Sequence, residues 1–100
     1  MNFLINYNDE IFRLCKEHKV KTLYAFGSVL TEKFNNQSDI DFVVDFSNIS
    51  VEDYADNYFD FKFSLQDTLK REIDLLEEKA IKNPYFRQVV SQQKQLVYGQ

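Results

Sequence analysis

Residues 26–42, FGSVLTEKFNNQSDIDF, decide how the chain is read. They follow an apolar run, Thr22-Leu23-Tyr24-Ala25-Phe26, which stops at Gly27-Ser28. A short apolar run bounded by glycine reads as a strand. Ser28 to about Phe34 predicts a short helix, and Asn35-Asn36-Gln37-Ser38 a polar turn. The chain then re-enters an apolar run and carries two acids, Asp39 and Asp41, with it. Ile40–Phe46 is rich in β-branched and aromatic residues and predicts the clearest strand. Side chains alternate along a strand, so Ile40, Phe42, Val44 and Phe46 share one face. Asp39, Asp41, Val43 and Asp45 share the other. A strand with helices on both faces would be apolar nearly throughout. The alternation therefore predicts a sheet with helices on one face and an open, acidic second face.

Outward from this stretch, the apolar spacing changes period. Leu4, Tyr7, Ile11, Leu14 and His18 recur at three- and four-residue steps and predict an amphipathic helix, with Cys15 beside the stripe. Ser50 is placed as an N-cap, with Asp53 in a capping-box-like position. Val51, Tyr54, Tyr58, Phe61, Leu65 and Leu69 then mark a long helix. Glu72 to Leu76 alternates polar and apolar, which predicts a third strand. Asn83-Pro84 starts a last helix, cap followed by Pro at the first position. Phe86, Val89, Val90, Leu96 and Val97 give it an apolar face, and Gly99 stops it. The predicted order is α-β-α-β-α-β-α. The class is α/β (α+β), with a small mixed sheet of three or more strands, in a single domain over residues 1–100.

The bulk numbers narrow the function. One hundred residues suffice for one modest core. The formal net charge is -4, and Lys and Arg are scattered among acids with no basic stripe, which argues against nucleic acid as the main partner. A small anion held together with a divalent cation stays compatible. No apolar run approaches the ~20 residues of a membrane span. A single cysteine allows no intrachain disulfide and suits a reducing compartment, so the cytoplasm is expected.

Acids in an apolar strand need a reason. Asp39 and Asp41 are two residues apart and point the same way, separated by about 6.6 Å along an ideal strand. Carboxylates at that spacing can close on one or two divalent cations, which relieves their repulsion. Mg²⁺ favours a few carboxylates completed by waters and substrate phosphates. Gly27 lets the backbone approach a ligand closely, Ser28 adds a hydroxyl, and a helix start offers free N–H groups to an anion. A triphosphate at Gly27-Ser28 would then share metal with Asp39 and Asp41.

Gly-Ser, ten residues, then Asp-x-Asp resembles the signature of the nucleotidyltransferase superfamily that includes DNA polymerase β and kanamycin nucleotidyltransferase. The short chain resembles the minimal (MNT) branch, and so do Asn83-Pro84-Tyr85-Phe86 and the closing Val97-Tyr98-Gly99. The resemblance implies the nucleotidyltransferase fold, with Asp39, Asp41 and a third acid, matched by Asp74, as catalytic and metal-binding residues. It implies Gly27 and Ser28 as nucleotide-binding residues, Mg²⁺ (two ions) as cofactor and ATP as substrate. The reaction it implies is two-metal in-line displacement that passes AMP to an acceptor hydroxyl, with Asp74 helping to deprotonate it. Many relatives carry Arg shortly after Gly-Ser. Here the first cation is Lys33, which either takes over that phosphate contact or is a solvated surface lysine.

The branch implies an antitoxin whose acceptor is a tyrosine of a partner HEPN toxin. A small aminoglycoside-like acceptor and a non-catalytic, partner-binding antitoxin are the alternatives, and a homo-oligomer is left open. Other positions read as structural. Ser38 shapes the turn, His18 is half-buried, Cys15 is core, Asp45 is surface, and Glu77 and Glu78 are solvated. Phe59 and Phe63 fall off the long helix's stripe and suggest a partner surface.

Overall fold

A computed structural model describes residues 3–99. A 3₁₀ turn, Leu4–Tyr7, leads into α1, Asn8–Glu17. Strand β1, Val20–Phe26, is followed by a 3₁₀ turn, Gly27–Leu30, and by β2, Ile40–Phe46. Helix α2, Val51–Leu69, leads to β3, Ile73–Glu77, and a 3₁₀ turn, Glu78–Ala80. Helix α3, Pro84–Gln93, and β4, Gln95–Tyr98, complete the chain. The sheet order is β3-β2-β1-β4. β1 runs antiparallel to both β2 and β4, and β2 runs parallel to β3. A parallel neighbour needs a long crossover, and α2 supplies it. The class is the mixed α/β expected from the sequence.

The main core lies where the alternation put it. Ile40, Phe42, Val44 and Phe46 of β2 join Leu23 and Ala25 of β1 and Ile73 and Leu75 of β3. Ile11, Leu14 and Cys15 of α1 and Phe61, Leu65 and Leu69 of α2 cover them. Each Val, Leu, Ile or Phe among them, fully buried, contributes about 1.5–3 kcal/mol. Phe61 meets Phe46 edge-to-face with ring centroids 5.9 Å apart and lies 5.5 Å from the His18 ring. His18 Nδ1 is 2.7 Å from the Leu14 carbonyl oxygen, so this histidine closes the end of α1. Asn83 starts α3 as expected, since its Oδ1 accepts from the N–H groups of Tyr85 and Phe86 at 2.9 and 3.1 Å.

Five expectations change. The last helix ends at Gln93, and Leu96 and Val97 belong to β4. Lys94 is extended (φ -69°, ψ 148°), and β4 satisfies the edge of β1 that a helix would have left unpaired. The helix expected over Ser28 to Phe34 is only the four-residue 3₁₀ turn. The second face is not fully open. Phe86 of α3 meets Phe26 edge-to-face at 6.4 Å, the Lys94 ammonium lies 4.2 Å from the Tyr24 ring centroid, and Val43 and Val90 are buried. Tyr24, Phe26 and Val43 all alternate with core residues, so α3 covers that face beside the acids. Glu77 is half-buried and accepts from the Tyr54 hydroxyl, and Glu78 pairs with Arg87 at 3.5 Å. Ser50 does not form a backbone capping box: its hydroxyl donates to the Asp53 carboxylate at 2.9 Å.

Candidate functional site

At the end of β1 the backbone turns sharply. Gly27 has φ +79°, in the region that L side chains rarely adopt. A Cβ there would lie 2.5 Å from Asp41 Oδ2. The cause is the register: Phe26 pairs with Asp41, so the residue after Phe26 passes directly over the Asp41 side chain. The glycine is therefore dictated twice, by conformation and by the carboxylate beside it. Ser28 is half-buried, and its carbonyl accepts from the Thr31 N–H at 2.9 Å and the Thr31 hydroxyl at 3.0 Å. The turn is short, so its dipole is small, and an anion here would depend on close backbone approach, the Ser28 hydroxyl and neighbouring cations.

The acids meet across the sheet. Asp41 is the register partner of Asp74 in the parallel β2–β3 pair, with strands about 4.8 Å apart. Asp39 sits just before β2, exposed, as is Asp74, while Asp41 is half-buried. The Asp41 carboxyl is pushed above the usual carboxylate range, first by burial and then by the charges of Asp74 and Asp39. Sites where burial and like charges combine are where functional carboxylates gather. The structure thus brings Gly27, Ser28, Asp39, Asp41 and Asp74 to one end of the sheet. Asp45, four residues beyond Asp41, turns to Lys79 at 3.7 Å and stands apart.

Three oxygen-donor carboxylates suit a hard cation. Among the described residues, no three His, Cys, Asp or Glu side chains close into a cage. Mg²⁺ does not need one, because it usually takes one or two carboxylates and fills its shell with waters and phosphates. The donor set therefore fits that ion. Two hollows flank the acids. One, of about 370 Å³, is lined by Gly27, Leu30, Thr31 and Gln93. The other, of about 360 Å³, includes Ser38, Asp39, Arg71 and Glu72 in its wall.

The turn before Asp39 is built from its own side chains. Asn35 Oδ1 accepts from the Gln37 N–H at 2.8 Å, and the Asn35 N–H donates to Ser38 Oγ at 3.1 Å. Ser38 thus shapes the turn, as expected. Lys33 lies in the preceding exposed segment, where its backbone N–H donates to Thr31 Oγ1 at 3.2 Å. Sequence reasoning missed Arg71. Its Nη2 donates to the carbonyl oxygens of Ser38, at 2.5 Å, and of Asn35. No local pattern signals contacts that span 33 and 36 residues.

Comparison with known proteins agrees with this fold. Residues 9–100 match the family model "Polymerase beta, Nucleotidyltransferase". The "Putative protein adenylyltransferase MJ0128" of Methanocaldococcus jannaschii is 34% identical over 85 residues, which cover 85% of this chain and 82% of that protein. Among solved structures, a toxin-antitoxin with AMP-PNP superposes with a TM-score of 0.71 at 21% identity, covering 93% of this chain and 73% of that one. An MNT antitoxin complex with tri-AMPylated HEPN toxin from Shewanella oneidensis gives 0.64 at 21% identity, covering 96% and 72%. Sequence and fold converge along nearly the whole chain: it belongs to the polymerase beta nucleotidyltransferase family.

Proposed function

We propose that this nucleotidyltransferase moves AMP from ATP to a tyrosine hydroxyl of a HEPN-type toxin, acting as its antitoxin. The observation that carries the reading is the meeting of Asp41 and Asp74 in register, with Gly27 against Asp41. Asp39 and Asp41 would hold Mg²⁺, with Asp74 completing the set, and the cation would supply neutralisation of the triphosphate and of pyrophosphate as it leaves. Gly27 and Ser28 would carry the phosphates close to the backbone. Lys33 is close enough in sequence to add a cation there. Asp74 would take the proton from the attacking hydroxyl while the new oxygen–phosphorus bond forms and the bond to pyrophosphate breaks. Most of the acceleration would come from positioning and charge neutralisation.

A protein acceptor is favoured by the position of Asp74. It is exposed on β3, an edge strand, so a hydroxyl carried on a second protein can reach it from solvent. The names of the relatives, a protein adenylyltransferase and an antitoxin bound to AMPylated toxin, support the same choice. Among the described residues, no helix is long and apolar enough to cross a membrane, and the single cysteine suits a reducing compartment, so we place the protein in the cytoplasm. Phe59 and Phe63, exposed and stacked at 5.9 Å, favour a contribution from direct contact with the partner.

The test is label transfer. Purified protein, Mg²⁺ and α-³²P-labelled ATP are incubated with a HEPN-type toxin and with its tyrosine-to-phenylalanine variants. Label on the toxin, lost with Asp39→Asn and lost with one tyrosine variant, is the expected result. Neutralisation of the toxin by the double variant Asp39→Asn/Asp41→Asn, with no label transferred, would favour contact alone.

A further inference from the structure

The geometry points to Arg71 as the positioning residue that sets Asp39 against the other two acids. Asp39 stands outside β2, and strand pairing alone does not hold it. Its backbone is instead bracketed on both sides by the segment that leads into β3. On one side Arg71 Nη2 donates to the Ser38 carbonyl. On the other the Ile40 N–H donates to the Glu72 carbonyl at 3.0 Å. The same Arg71 nitrogen donates to Asn35, so both ends of the Asn35–Ser38 turn hang on one guanidinium. That turn is also closed by its own bond, Ser38 N–H to the Asn35 carbonyl at 3.1 Å.

The guanidinium is itself fixed. It lies over the Phe34 ring, 4.4 Å from the centroid, and 5.4 Å from that of Phe3. A planar cation stacked on aromatic rings, with two carbonyls at its edge, has little freedom left. Three residues on stands Asp74. One short segment, residues 71–74, therefore carries the third acid and fixes the first. Arg71 touches neither substrate nor metal in this role. It acts through Asp39, as partners behind metal ligands do.

This inference rests on the metal reading above, and the experiment separates the two. Mn²⁺ binding is measured by electron paramagnetic resonance, with a non-hydrolysable ATP analogue present, for wild type, Arg71→Met and Arg71→Lys. Amide exchange is followed at Gln37 and Ser38, and melting is recorded. Arg71→Met keeps a long apolar stem on Phe34 and removes both hydrogen bonds. The expected result is Mn²⁺ affinity weakened about 10- to 100-fold, faster exchange at both amides and a largely preserved fold. Arg71→Lys should lie between, and it carries the test alone if Arg71→Met does not fold. Wild-type affinity and wild-type exchange in the folded variants would overturn the role of Arg71. A wild-type chain that takes no Mn²⁺ would overturn the metal reading, and the role with it.

Discussion

Replacing Gly27 by Ala adds one carbon where Asp41 already stands. The new Cβ would lie 2.5 Å from Asp41 Oδ2, which is 0.9 Å short of an ordinary 3.4 Å contact. The obstacle is the end of a side chain, so the carboxylate gives way and moves by roughly that shortfall. The backbone remains at φ +79°, which costs about 1–2 kcal/mol for a residue with a side chain. In a domain of this size that lowers the melting temperature by about 4–16 °C. The displaced carboxylate has the larger consequence. A misplacement of about 1 Å at a reacting centre can lower the rate about 100-fold. Melting by circular dichroism and AMP transfer from labelled ATP are measured side by side, below the variant's melting temperature. The expectation is a folded protein with transfer reduced about 100-fold. Transfer within about threefold of wild type would refute the reasoning, because it would mean that Asp41 needs no fixed place.

Three further outcomes are expected. The Asp41 carboxyl is raised in the folded chain, so its ionisation at neutral pH destabilises the fold. Asp41→Asn should therefore raise the melting temperature at pH 7 without divalent cation. The gain should vanish as pH falls through the raised folded value towards that of the unfolded chain, while transfer is abolished at every pH. An unchanged or lower melting temperature at pH 7 would contradict this. Burial pushes the Cys15 thiol up to about 12, so a disulfide reagent at pH 8 should label it orders of magnitude more slowly in the native protein than in urea. Equal rates would mean that α1 is not packed. Phe61 is fully buried, and Phe61→Ala should remove about 3–5 kcal/mol in urea titrations, where a loss under about 1 kcal/mol would contradict the packing described.

The sequence was most legible where local pattern and tertiary environment agree. The strand alternation of Ile40–Phe46 placed Phe42 and Val44 in the core because one sheet face is buried by α1 and α2. Gly27 could be singled out because its need is local, a turn at a strand end. Asp74 was found through the family pattern and the alternation of β3. The strand β4 was missed because Leu96 and Val97 continue the spacing of Val89 and Val90, and only the open edge of β1 decides otherwise. The placement of α3 beside the acids depends on where Phe86 finds Phe26, a contact across sixty residues. Arg71 reads as one more surface cation until Ser38 and Phe34 surround it.

The parallel pairing of β2 and β3 has a kinetic consequence. Asp41 and Asp74 become neighbours only when β3, which follows α2 in the chain, takes its place beside β2. Closing such a loop is entropically costly and tends to come late, whereas the β1–β2 pair closes over a much shorter span. During refolding, helical signal and burial of the β1–β2 face should therefore return before catalytic competence does. If Asp74 serves as proposed, the enzyme's own turnover becomes a clock for the final pairing of its chain, and a nascent chain that has not yet released residue 77 should be enzymatically silent however much of its helix content is in place.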